Sequence, residues 1–173
     1  MRAGVWTTPV VLTATAAPAF AASQCNNFVT PSASAWTVTN QNISAAGGTD
    51  GFQTGGYKVV QDPGSTGAAS VTVTANQRVR FLAGTTYTFS FNFYRYVDNP
   101  RSVVFTLVVN GTTVTNSTVT TVGTATGNGS VSNATYQATT SGCYPVALSF
   151  VYGNESSTTG DDITITNLAR SPA

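Results

Sequence analysis

Thirteen residues near the middle of the chain, Thr85 to Val97, read TTYTFSFNFYRYV. Tyr87, Phe89, Phe91 and Phe93 alternate with Thr88, Ser90 and Asn92. A helix would spread these rings around its circumference, whereas an extended strand sets every second residue on one face. The stretch therefore predicts a long, half-buried β-strand with an aromatic core face, and its neighbours must supply a sheet to bury that face.

Almost every segment from Cys25 onward obeys the same period. WTVT (36–39), YKVVQ (57–61), ASVTVT (69–74), RVRFL (78–82), VVFTLVV (103–109) and DITITNL (162–168) are short and rich in β-branched or aromatic residues. Each is set off by Gly, Pro, Asp or Asn, the residues that end strands and make turns. YPVALSFVY (144–152) aligns Tyr144, Val146, Leu148, Phe150 and Tyr152 on one face. Asn110-Gly111 supplies the pair of positive-φ residues that a two-residue hairpin demands. No stretch keeps a 3.6-residue apolar period. The expectation is an all-β, antiparallel two-sheet β-sandwich of jelly-roll type, with roughly nine to eleven strands. The Gly/Ser/Thr/Asn-rich segment GTATGNGSVSNAT (123–135) is expected as a loop inside that single domain, with Trp36 in the core.

The first residues carry a different signal. GVWTTPVVLTATAAPAFAAS is mildly apolar and ends in small residues, and Ala19-Phe20-Ala21 fits the A-x-A cleavage pattern. Residues 1–21 are thus expected as a cleaved signal peptide, leaving 22–173 as one secreted domain. The run resembles a twin-arginine signal but carries only Arg2 where a pair is expected. Either the natural start lies upstream or the ordinary secretory route is used. In an oxidising compartment the two cysteines, Cys25 and Cys143, are expected to pair as a disulfide. Ser23-Gln24 lacks the small residue required directly before a lipidated cysteine, and NLARSPA is no apolar anchor, so no membrane span is expected.

Composition then narrows the chemistry. The chain has no histidine, which removes Ser-His and Cys-His nucleophile pairs, His-ligated zinc and imidazole proton transfer. Charged residues make up 8% of it, Lys58 is its one lysine, and the formal net charge is +1. Nothing here gathers phosphates, so nucleic acid is not an expected partner. Six Asn-x-Ser/Thr sequons begin at Asn42, Asn110, Asn116, Asn128, Asn133 and Asn154; in so Asn-, Ser- and Thr-rich a chain they arise by chance.

Two sites draw attention. Asp161 and Asp162 stand together in GDDITITN (160–167), in a chain with only six acidic residues. Glycoside hydrolysis needs two carboxyl groups on either side of one bond, but adjacent strand residues face opposite ways, so the pair is not expected to be catalytic. A partner from Asp62, Asp98 or Glu155 has no distinguishing context. The alternative is local: an aspartate that ends a loop by accepting backbone hydrogen bonds. The second site follows from parity in the aromatic strand. With Tyr87 to Phe93 inward, Asn92, Tyr94 and Tyr96 face outward, and aromatic rings beside an amide and hydroxyls suit stacking on a pyranose. Arg95 falls on the core side by the same parity, which predicts a bulge or the strand end near 93–95.

Taken in order, NNFVTPSASAWTV (26–38), GGYKVVQD (55–62), LAGTTYTFSFNFY (82–94), VVNGTTV (108–114), GCYPVALSFVYG (142–153) and GDDITITN (160–167) resemble the jelly-roll sandwiches of carbohydrate-binding modules and the related galactose-binding-like fold. The resemblance implies a non-catalytic secreted or cell-surface domain that binds carbohydrate or cell-envelope glycan. A structural or adhesive protein that contacts a surface protein or its own copies is the alternative. It further implies one structural calcium ion where the first strand meets the last, held by Asp161 or Asp162 with Asn26 and Asn27. The family often places an acidic residue after the first-strand Phe; here Val29 follows Phe28.

Overall fold

The computed structural model describes residues 25–172, so the expected signal peptide lies outside the described residues. Thirteen strands and no helix occupy them: β1 (Trp36–Gln41), β2 (Gly51–Gln53), β3 (Gly56–Val59), β4 (Ser70–Ala75), β5 (Val79–Phe81), β6 (Thr86–Tyr96), β7 (Val103–Val109), β8 (Thr112–Thr113), β9 (Val119–Thr120), β10 (Gly127–Gln137), β11 (Gly142–Tyr144), β12 (Val146–Tyr152) and β13 (Asp162–Ser171). Short pieces such as β8 and β9, two residues each, carry the number past the nine to eleven expected. No helix among the described residues is long and apolar enough to cross a membrane.

The strands form two large antiparallel sheets. One runs β1-β4-β12-β7-β8 with β9 also on β7, the other β10-β6-β13-β3-β2, and β5 and β11 make a small pair of their own. This is an antiparallel two-sheet β-sandwich of jelly-roll type. The core between the sheets is built by period-2 alternation: Tyr87, Phe89 and Phe91 from β6 meet Phe105 and Leu107 from β7 and Leu148 and Phe150 from β12, all buried. Phe91 and Phe105 make an edge-to-face contact at 5.3 Å, and Phe105 lies 5.1 Å from Phe150. Such pairs add to area burial because the ring edge meets the negative ring face. Trp36 is in the core as expected, 2% exposed, and its indole N–H donates to the Val29 carbonyl at 3.0 Å.

Local chemistry sets the turns. Asn110 and Gly111 adopt φ of 52° and 76° and close the β7–β8 hairpin. Cys25 and Cys143 are joined, their Cα atoms 5.2 Å apart, across a sequence separation of 118. This pins the start of the described chain to β11.

One expected loop is corrected. Most of the segment 123–135, expected as loop from its composition, belongs to the eleven-residue strand β10, Gly127–Gln137. Its intrinsic propensity is poor, but pairing along β6 and the inward Val131, Ala134 and Tyr136 override it. The Phe93 ring folds across Gly129, so any larger side chain there would push the ring aside. As parity implied, β6 ends just past Arg95, at Tyr96, and carries no bulge of its own; the register shifts lie in its neighbours, at Val131/Ala134 in β10 and Thr166/Ala169 in β13. Arg95 stays on the core side by resting over the Phe93 ring at 5.1 Å and donating to the Thr120 carbonyl at the margin of the sandwich.

Arg101 lies two residues before β7. It is fully buried, and its guanidinium donates to carbonyls of Gly153 (2.7 Å), Ser65 (2.8 Å), Ser157 (3.2 Å) and Gly67 (2.5 Å). One side chain thereby ties two loops to the start of β7. Removing it leaves four carbonyls, shielded in part from water, without their donor, each costing up to about 1–3 kcal/mol. Arg101→Leu is expected to lower stability by at least ~3 kcal/mol, read as a fall in the denaturant midpoint at unchanged slope. Arg101→Lys, lacking the planar fork, is expected to recover little of it. A loss under ~1 kcal/mol for Arg101→Leu contradicts this account.

Candidate functional site

The long strands β6 and β13 lie side by side, and their register fixes what their outer face presents. Asp162 stands opposite Tyr96, Thr164 opposite Tyr94, and Thr166 opposite Asn92. On the other side of β6, Asn128 is opposite Tyr94 and Ser130 opposite Asn92. Lys58 of β3 extends the middle row beyond Thr164. Directly paired residues share a face, so this outer surface carries Tyr94 and Tyr96 amid two amides, hydroxyls, one ammonium and one carboxylate.

Tyr94 and Tyr96 are each 39% exposed, a large exposure for rings on a sheet face, and Asn92 is exposed beside them. The structure thus brings together the three residues predicted for ligand contact. They sit two apart along one strand, so successive rings are about 7 Å apart. The Tyr96 hydroxyl donates to Asp98 at 3.1 Å. That bond, and the Asp98 charge behind it, push the Tyr96 phenol above its ordinary pKa.

The acidic residues divide by function. Asp161 is 3% exposed and accepts the backbone N–H groups of Asp98 (3.1 Å) and Asn99 (2.9 Å). Asp62, also buried, accepts Gly160 N–H at 2.9 Å. Asp50 accepts Val60 and Gln61 N–H at 2.7 and 2.8 Å. Each serves as a backbone acceptor, but the N–H groups that Asp161 and Asp62 accept come from distant parts of the chain, so these bonds join separate loops instead of closing a local turn. Asp162 differs. It points to the outer face, half-buried, and burial pushes its pKa up to about 7, reinforced by Asp62, Asp161 and Asp50 and opposed by Lys58.

The four residues expected to share a calcium ion are not brought together. Asn26 is bonded to β5, its N–H to the Arg78 carbonyl and its C=O to Arg80 N–H. The Phe81 ring of β5 touches Tyr87, at the start of β6. Asp161 and Asp162 lie by Tyr96, at its end, so the length of β6, roughly 30 Å, separates the two pairs. Among the described residues, no three of His, Cys, Asp and Glu group in a way that could hold a metal ion.

Comparison with known proteins adds the following. No family model matches the sequence, and no curated protein matches it. Among solved structures, a mutant family 29 carbohydrate binding module aligns over 82% of this chain and 84% of its own, with 13% identity and a TM-score of 0.42. A family 61 module in complex with β-1,4-galactotriose covers 78% of this chain and 86% of its own, at 13% identity and TM-score 0.36. The enzymatically active domain of a bacteriophage tailspike covers 79% of this chain but 19% of its own, at 15% identity and TM-score 0.41.

Sequence reasoning found the tyrosines by parity and set Asp161 and Asp162 on opposite faces, but did not say which of the two is buried. The usable signal was that same parity, which buries one and turns the other outward. An aspartate with a folded pKa near 7, above the ~3.9 of an unfolded chain, binds its proton more tightly in the native state. It contributes stability that is fully present below pH ~4 and lost as pH rises through ~7. Melting temperature is therefore expected to fall across that window, and Asp162→Asn to flatten the slope and raise the melting temperature at pH 8. An unchanged slope in Asp162→Asn contradicts the assignment.

Proposed function

We infer that the protein is a non-catalytic, exported binding domain whose ligand is a carbohydrate or cell-envelope glycan, taken on the outer face of β6 and β13. The observation that carries this reading is the pair of exposed tyrosines, Tyr94 and Tyr96, aligned on one face and bordered by Asn92, Asn128, Ser130, Thr164 and Thr166. A sugar ring offers apolar C–H faces to stack on phenol rings and equatorial hydroxyls to meet amides and hydroxyls. Lys58, Asp98 and Asp162 are the charges at its border, so recognition rests on shape and hydrogen bonding more than on ion pairing.

Two further features support the setting. The Cys25–Cys143 bridge suits an oxidising compartment. A chain with no histidine, whose buried aspartates are occupied by backbone N–H groups, has little with which to run hydrolysis.

A glycan array followed by calorimetry with the retained polysaccharide tests the reading. Tyr94→Ala and Tyr96→Ala are each expected to weaken binding about tenfold, ~1.4 kcal/mol, with the melting curve little changed because both rings are exposed. Asn92→Ala is expected to lose less. Retention on no glycan, or full affinity in the Tyr94→Ala/Tyr96→Ala double variant, overturns it.

A further inference from the structure

Each sheet of an open sandwich ends in strands with unpaired backbone groups, and natural proteins blunt such edges with charge, proline, bulges or brevity. Three ends here are brief: β2 has three residues, and β8 and β9 have two each. β10 is long but bulged at Val131/Ala134, contains Gly127 and Gly129, and has Thr135 already bonded in both directions to Thr115. β1 has none of these devices. Trp36-Thr37-Val38-Thr39-Asn40-Gln41 contains no charge, proline or glycine and pairs with β4 in unbroken register. No other strand among the described residues pairs with it.

The direction of its free groups follows from the ladder. Asn76 N–H bonds the Ala35 carbonyl, and on the far side of β4 Tyr152 N–H bonds the Ala69 carbonyl. Alternation then turns Thr37, Thr39 and Gln41 toward β4, while the backbone of Trp36, Val38 and Asn40 points outward. Trp36 N–H is taken by the Ser32 carbonyl. The outward set is thus the Trp36 carbonyl with the N–H and C=O of Val38 and Asn40. On the core side of the same edge, Val38 is only half-buried against the hydrophobic cluster.

We propose that β1 is a self-association edge, through which two copies of this chain pair antiparallel about a two-fold axis at Val38 and join their large sheets into one. The edge is self-complementary in this register. Val38 N–H and C=O meet those of Val38 in the second copy, and each Asn40 N–H reaches the other copy's Trp36 carbonyl. The two Val38 side chains meet on the core side and cover surface that each copy leaves half-exposed, a favourable β-branched cross-strand pair. Thr37 faces Thr39 of the second copy on the outside. The strand is uncharged and the formal net charge is +1, so electrostatic repulsion between copies is slight. A six-residue edge covers less than the ~1,200 Å² of a stable complex, which makes the pairing reversible and concentration-dependent.

Sedimentation velocity of the exported protein over a concentration series tests this independently of any glycan. The weight-average mass is expected to rise from one chain toward two. Val38→Pro removes an outward N–H and leaves the β4 ladder intact, since proline is tolerated at an edge when its N–H faces solvent; it is expected to weaken association at least tenfold. Asn40→Pro acts by the same logic nearer the strand end and decides the matter if Val38→Pro does not fold, as judged by near-ultraviolet dichroism. A single-chain mass at every concentration, or association of the folded proline variants equal to that of the parent, overturns the proposal.

Discussion

The arrangement of the far end of the sandwich depends on one buried guanidinium. Arg101 lies just before β7, and no carboxylate is among its hydrogen-bond partners; it is held instead by carbonyls of the 65–67 and 153–157 segments. Its own backbone completes the tie, with Arg101 N–H on the Thr159 carbonyl and Asp161 N–H on the Arg101 carbonyl. The loop that leads into β13 is therefore fixed from within. Because Asp161 is held there and caps the 98–99 turn, Asp162 emerges on the outer face directly opposite Tyr96. The border of the tyrosine face is thus a consequence of how a buried positive charge was satisfied some way below it.

That dependence also shows which parts of the molecule could be read from residues alone. Alternation in 85–97 determined the inward and outward sides of β6, and Asn110-Gly111 marked the β7–β8 hairpin, because both signals are local in the chain. The Cys25–Cys143 bridge was legible from compartment and count. Burial of Arg101 was not, since a guanidinium satisfied by carbonyls from two distant loops leaves no mark in its own neighbourhood. β10 was hidden for the complementary reason: GNGSVSNATYQ is a poor strand by propensity and becomes one only because β6 offers a full-length ladder. The separation of Asn26 from Asp161 followed from topology. The first described residues pair with β5, at the Tyr87 end of β6, and a linear motif does not encode which end of a strand its partner meets.

Scarcity of charge gives the chain its particular character. Three of its few carboxylates serve as acceptors for backbone N–H groups. Asp162 alone of the Asp161-Asp162 pair is turned to the outer face, in a setting whose burial and neighbouring aspartates favour the protonated form. A surface with so few charges must rely on hydroxyls and amides for solubility. The same groups that keep the outer face of β6 and β13 wet are those that a polyhydroxylated ligand would engage.

The low charge that suits a glycan face also leaves β1 without the usual protection of an edge strand, and the two features lie on different sheets. β1 ends the sheet that contains β4 and β12, whereas Tyr94 and Tyr96 belong to the sheet of β10, β6 and β13. Pairing through β1 would therefore leave both tyrosine faces uncovered and fix them in one rigid body. For a polymeric ligand with repeated sites, the second contact then becomes intramolecular, and overall affinity can exceed that of one face without any new interaction. On such a ligand a weak face and a weak edge would reinforce each other, because occupancy of neighbouring sites would raise the local concentration that drives pairing.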